Sequence, residues 1–167
     1  MSSKIFCYNV NTGLKTLALL FPSNNGNKVE FTQQDFYQIR TIQTGPMSLF
    51  ALKLSSTSCY SIKINAAFEN ADIGILPSCL TIFKDFTLVN FQDKYVFVVG
   101  AMINRQITTQ TLRYDLEKNT WQYGPEMNTG RWICTGCSVG DAVYVFGGLK
   151  EKGAIPFQSF EKLTMNP

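Results

Sequence analysis

The chain has 167 residues, 45% of them hydrophobic and 16% charged, with 13 Phe, 7 Tyr and 2 Trp, a composition that supplies a core and excludes a disordered tail. Its net charge of +3 is spread out, with 7 basic against 5 acidic residues up to residue 90 and 8 against 7 beyond it, so no basic patch argues for nucleic acid or an anionic membrane. The sequence has no histidine, which removes Ser-His-acid and Cys-His nucleophile chemistry from what these residues can do.

Taken in chain order, Tyr8–Gly13 followed by Leu14–Phe21 reads as a strand, turn and strand, and Cys59–Asn65 followed by Asp72–Leu76 repeats that arrangement. Further strands are expected near 86–91, 95–100, 111–116, 121–123, 133–139, 143–147 and 158–164, with almost no helix. Glu117–Thr120 forms a polar hairpin turn, and Gly140-Asp141 another. The run Tyr95-Val-Phe-Val-Val-Gly100 returns about 47 residues later as Val143-Tyr-Val-Phe-Gly-Gly148. Gly147 and Gly148 end the second copy without Cβ atoms, so the chain there can take positive φ and neighbouring backbones can approach. Tyr8, Ile64, Tyr114 and Leu163 are equivalent points, with steps of 56, 50 and 49 residues between them. A repeat of this length marks units that cannot bury their own faces and need a neighbour on each side.

The motif set of Gly100, Arg113-Tyr114-Asp115, Trp121, Pro125-Glu126-Met127, Arg131 and Gly147-Gly148 resembles the kelch repeat. That resemblance implies an all-β fold, a kelch-type β-propeller segment of four-stranded antiparallel blades. Residues 1–85 are expected to form degenerate kelch-like blades, and residues 86–167 two recognisable repeats, the last incomplete. Gly100, Tyr114, Trp121, Met127, Gly147 and Gly148 are the structural positions of the repeat, with Trp121 expected between adjacent blades. Kelch propellers usually close with about six blades, whereas 167 residues at about 50 per blade supply a little over three. The ring is therefore expected to be completed by more of the same polypeptide or by another chain.

Functionally, the resemblance implies a non-catalytic protein-interaction or scaffolding module with no cofactor. Its binding face would carry Asn104 and Arg105 after Gly100, Lys150 and Lys152 after Gly148, and Arg131, with another protein or the remainder of the propeller as partner and neither nucleic acid nor membrane. Arg131 has two readings, as a ligand contact on that face or as a fork of donors tying down loop carbonyls or a carboxylate. Ala101 stands where the first copy should have its second glycine, which puts the geometry of that loop in question. Kelch-like propellers include copper-radical oxidases, but those need histidine ligands that this sequence does not contain. The alternatives are a segment of a propeller enzyme with its catalytic residues elsewhere, or a structural component of a large cytoskeletal or ciliary assembly.

Cysteines 7, 59, 79, 134 and 137 are odd in number and too sparse for a disulfide scaffold, as expected of reduced thiols in a cytoplasmic protein. Met1–Val10 holds one lysine and no long apolar run, so neither a signal peptide nor a membrane helix is expected. Cys134-Thr-Gly-Cys137 lacks both the helix that a redox pair opens and the two further ligands of a zinc site; both cysteines are expected as small core residues. Of the carboxylates, Asp115 is placed to accept turn amides rather than to act as half of a catalytic pair.

Overall fold

An unbroken apolar strand such as Tyr95–Val99 needs cover on both faces, because successive side chains point to opposite sides of a sheet. A computed structural model, which describes residues 38–64 and 71–164, supplies that cover by stacking antiparallel sheets face to face. The strands expected at Tyr8–Phe21 lie outside the described residues. The described residues contain no helix, and so none long and apolar enough to cross a membrane.

The first blade consists of β1 (Ile39–Gly45), β2 (Ser48–Lys53), β3 (Cys59–Ile64) and β4 (Ala71–Leu76), paired in chain order. The second begins with β5 (Thr87–Phe91) and β6 (Tyr95–Val99), inserts a small hairpin of β7 (Met102–Ile103) and β8 (Gln106–Ile107), and ends with β9 (Leu112–Asp115) and β10 (Thr120–Tyr123). Its sheet order is again one strand after the next, with the hairpin standing apart as its own two-stranded sheet. The third blade has β11 (Thr135–Val139), β12 (Ala142–Phe146) and β13 (Phe160–Thr164). The fold is all-β and blade-type, and the innermost strands begin at residues 39, 87 and 135, a step of 48 each time. Those three strands lie side by side: Asn90 Nδ2 donates to Gln43 O at 2.7 Å, and Thr87 Oγ1 donates to Cys134 O at 2.7 Å.

The apolar alternation decides what each face meets. Val96 and Val98 turn toward the first blade and join Phe50, Leu52, Leu112, Tyr114 and Trp121 in one core. Phe97 and Val99 turn the other way and join Val143, Val145 and Leu163 of the third blade in a second core. One strand thus serves two cores, which is why its sequence shows no polar positions. Trp121 is 9% exposed; its ring lies 5.9 Å from Phe50 across the blade boundary and 5.0 Å from Tyr114 within its own blade. Its indole N–H donates to Pro77 O at 3.0 Å, so the buried polar end is satisfied.

Turns hold the strand ends. Gln92 and Asp93 both take positive φ, 57° and 51°, and Lys94 N donates to Phe91 O at 3.1 Å, the mirror-image turn that suits the strand twist. At the far end of the second blade, Asp115 Oδ1 accepts from Glu117 N at 3.0 Å and Lys118 N at 2.9 Å. Tyr114 Oη bonds Asn119 Oδ1 at 3.0 Å, tying the same turn to the core.

Most expected strands shorten by a residue or two, and that expected from 133 starts only at Thr135. Four strands, β1, β2, β7 and β8, occupy residues to which the sequence reading assigned none. Trp121→Ala deletes a ring shared by two blades and should cost about 3–5 kcal/mol. Urea unfolding of the two proteins measures this, and a loss below about 1 kcal/mol would contradict the inter-blade role.

Candidate functional site

The strand directions bring one set of loops to a common end. β5 starts where β6 stops (Thr87 opposite Val99), and β11 starts where β12 stops (Thr135 opposite Phe146). The connections at 77–86, 100–111, 124–134 and 147–159 therefore share this end of the sheets, and all the residues singled out for binding lie on it.

Backbone geometry there repeats between blades. Lys84 and Met102 exchange both amide bonds at 3.0 Å, and Trp132 and Leu149 do the same at 3.0 and 2.8 Å. The first of these pairs follows Ala101 and the second follows Gly148, so the question Ala101 raised is answered: Ala101 is fully buried and the loop after it pairs as its counterpart does. The glycines matter for closeness as well as for φ. Gly100 has φ of +64°, and a Cβ there would run into Cys134 Sγ; Gly148 has φ of +87°, and a Cβ there would lie 3.0 Å from Cys134 Cβ. Cys134 is thus wedged between the glycine-ended strands of two blades.

Arg131 settles between its two readings. It is 2% exposed, and its guanidinium is used within the chain: Nε donates to Glu161 Oε1 at 3.0 Å, Nη1 to Gly147 O at 2.8 Å and Ser159 O at 3.1 Å, and Nη2 to Ser159 Oγ at 3.0 Å. Its Cζ also stands 4.7 Å from the Phe157 ring centroid. Arg131 therefore cannot grip a ligand, and it leaves the binding set. Glu161, which the sequence reading did not single out, completes the clasp by accepting Asn128 N at 2.5 Å and Thr129 N at 3.1 Å. A signal for it exists: Glu161 falls on the same strand face as Leu163, where a carboxylate needs a buried partner.

Asn104 and Arg105 form the two-residue turn of the β7–β8 hairpin, with φ of 50° and 67°. This is the same mirror-image turn as at Gln92-Asp93, in a conformation that asparagine adopts readily, and both side chains are exposed at its tip. Lys150 and Lys152 are exposed in the loop after β12. Neither Arg105 nor Lys150 has an ion-pair partner among the described residues. The structural positions Gly100, Tyr114, Trp121, Met127, Gly147 and Gly148 sit at blade boundaries or strand ends, with Met127 3% exposed in the core between the second and third blades. Cys137 is a correction to the expectation for the cysteine pair: it is exposed on β11, and only Cys134 packs on a core.

Thiol chemistry is subdued where the thiols are buried. Burial, and then the nearby Cys79, pushes Cys59 up to about 12, and burial raises Cys79 and Cys134 as well. These groups stay neutral near physiological pH and are poor nucleophiles. Tyr114 is pushed up to about 12, chiefly by burial and then by Cys59 and Asp115. At the opposite end of the blades, a cleft of about 340 Å³ between the first two is lined by Lys63, Asp93, Tyr114 and Asn119 among others. No group of three or more metal-ligating side chains occurs among the described residues. Comparison with protein-family models gives no match to this chain, and comparison with curated proteins gives none either.

Removing one member of the Arg131–Glu161 pair strands the other in the interior, so Arg131→Met and Glu161→Leu should each cost about 3–5 kcal/mol. The double replacement Arg131→Met with Glu161→Leu should cost less than the sum of its parts, by about 1–3 kcal/mol in a double-mutant cycle. Additive losses in denaturant unfolding would mean that the two side chains act separately.

Proposed function

We propose that this chain is a section of a kelch-type β-propeller that works as a non-catalytic protein-interaction or scaffolding module in the cytoplasm. The loop end of the second and third blades is the binding face, and a segment rich in Asp or Glu is the ligand class. The observation that carries this reading is the β7–β8 tip, where a tight two-residue turn keeps Arg105 exposed and without an ion-pair partner among the described residues. Arg105 supplies a planar fork able to take a carboxylate through two hydrogen bonds, Asn104 a neutral amide beside it, and Lys150 a second positive charge from the next blade.

The kelch assignment is supported by blades repeating at 48 residues, by a glycine directly after the second strand of the second and third blades, and by the Tyr114–Trp121 pair at the blade boundary. The partner in this reading is another protein or the remainder of the propeller. The non-catalytic reading is supported by the absence of histidine and by buried thiols held in the neutral form.

A labelled peptide of alternating Asp and Ser residues tests the face. Replacing both Arg105 and Lys150 by alanine should weaken its binding at least tenfold, about 1.4 kcal/mol, with the unfolding midpoint unchanged because both residues are exposed. Equal binding by wild type and double variant would remove this face from the proposal.

A further inference from the structure

The second and third blades build the same backbone just before their innermost strands. Asp85 stands two residues before β5 and Ile133 two residues before β11, and those strands begin at residues 87 and 135. Each follows a residue held in an isolated antiparallel bridge, Lys84 to Met102 and Trp132 to Leu149. Each also has positive φ, 50° at Asp85 and 54° at Ile133. Aspartate tolerates that region, whereas isoleucine suits it badly because its branched Cβ crowds the neighbouring backbone. Among the described residues Ile133 is the one β-branched side chain held there.

The fold imposes this backbone and draws no burial from the side chain. Arg131 is locked to Glu161, Gly147 and Ser159, Trp132 is paired with Leu149, and Cys134 is wedged between Gly100 and Gly148. Neighbours fixed this firmly can hold an unfavourable φ in the residue among them. Yet Ile133 is 59% exposed and belongs to none of the apolar cores, so glycine or asparagine would serve the backbone better. A neighbouring blade does not cover this position. Asp85 has the third blade against it, since Trp132 Nε1 donates to its Oδ2 at 3.2 Å, and it remains exposed. The exposure of Ile133 therefore belongs to its place at the loop end and not to the edge of a sheet.

We propose that Ile133 is a specificity-determining residue of the loop-end face, where it receives an aliphatic side chain of the acidic partner segment. This role rests on the loop-end reading above, and it narrows the ligand to a segment in which Leu, Ile or Val lies close to Asp or Glu. Lys150 directly follows Leu149, the bridge partner of Trp132, and is exposed. A cation and an aliphatic group thus both stand one residue from the same bridge. A segment crossing that bridge meets the two together: the aliphatic contact removes apolar surface of both partners from water, and the cation takes the carboxylate.

The test uses the whole chain with two labelled peptides, one of alternating Asp and Ser and one in which a central Ser is Leu. Wild type should bind the Leu peptide about tenfold more tightly than the other. Ile133→Asn, which suits the left-handed backbone, should bind the two peptides alike, with a urea midpoint equal to that of wild type or higher. Ile133→Val should keep the preference. Equal binding of the two peptides by wild type, or a preference that survives Ile133→Asn, would overturn the role of Ile133 while leaving the loop-end reading in place. A lower urea midpoint for Ile133→Asn would overturn it as well, because the side chain would then be packed within the protein. Binding of neither peptide would overturn both this role and the loop-end reading.

Discussion

Everything in this fold depends on one constraint: each blade must be covered by the next. β6 makes this plain. It has no polar face to offer solvent, because Val96 and Val98 pack on Phe50 and Leu52 of the first blade while Phe97 and Val99 pack on Val143 and Val145 of the third. A single four-stranded sheet with this sequence would expose apolar surface on one side or the other and would lose the main term that drives folding. The 48-residue step is the consequence. Equivalent strands must arrive at equivalent depths for the side chains of neighbouring blades to meet, and Trp121 fills the gap at the boundary where two blades diverge.

The same constraint shapes the loop end. Where second strands finish, two blades crowd together, and only residues without a Cβ leave room for Cys134 between Gly100 and Gly148. The Arg131–Glu161 clasp then ties the crossing from the second blade to a carbonyl, a hydroxyl and a strand of the third. The cations that stay exposed at this end among the described residues are Lys84, Arg105 on its hairpin, and Lys150 and Lys152 in the loop of the next blade. A buried arginine and an exposed one lie a short distance apart along the chain, and the buried one holds the blades together.

Much of this was legible in the sequence, for physical reasons that can be named. β6 and β12 announce themselves as apolar runs because both faces of β6 and one face of β12 are buried, and the glycines that end them mark where backbones crowd. Asp115 was readable as a turn anchor because a carboxylate just before a polar hairpin has amides within reach. β1 and β2 were not legible: Ile39–Gly45 alternates weakly, with Arg40, Thr41 and Gln43 exposed, and no glycine pair follows Lys53. The β7–β8 hairpin was hidden because Asn104-Arg105 forms its turn without glycine. The role of Arg131 stayed open because its partner lies 30 residues further on, a pairing that only the three-dimensional register brings together. Cys137 was misplaced because β11 is not a core strand on either face: four of its five residues are exposed and only Gly136 is half-buried.

The central claim is that neighbouring blades hold one another in place, and Phe97 is the most direct point at which to test it. It is fully buried, belongs to the second blade, and contributes its ring to the core that also contains Val143, Val145 and Leu163 of the third. Native-state hydrogen exchange of Phe97→Ala against wild type reads the outcome strand by strand. The account predicts faster exchange in β12 and β13 as well as in β5 and β6, because the third blade loses the surface it packs on. Faster exchange confined to β5, β6, β9 and β10 would contradict it and show that the blades are independent units.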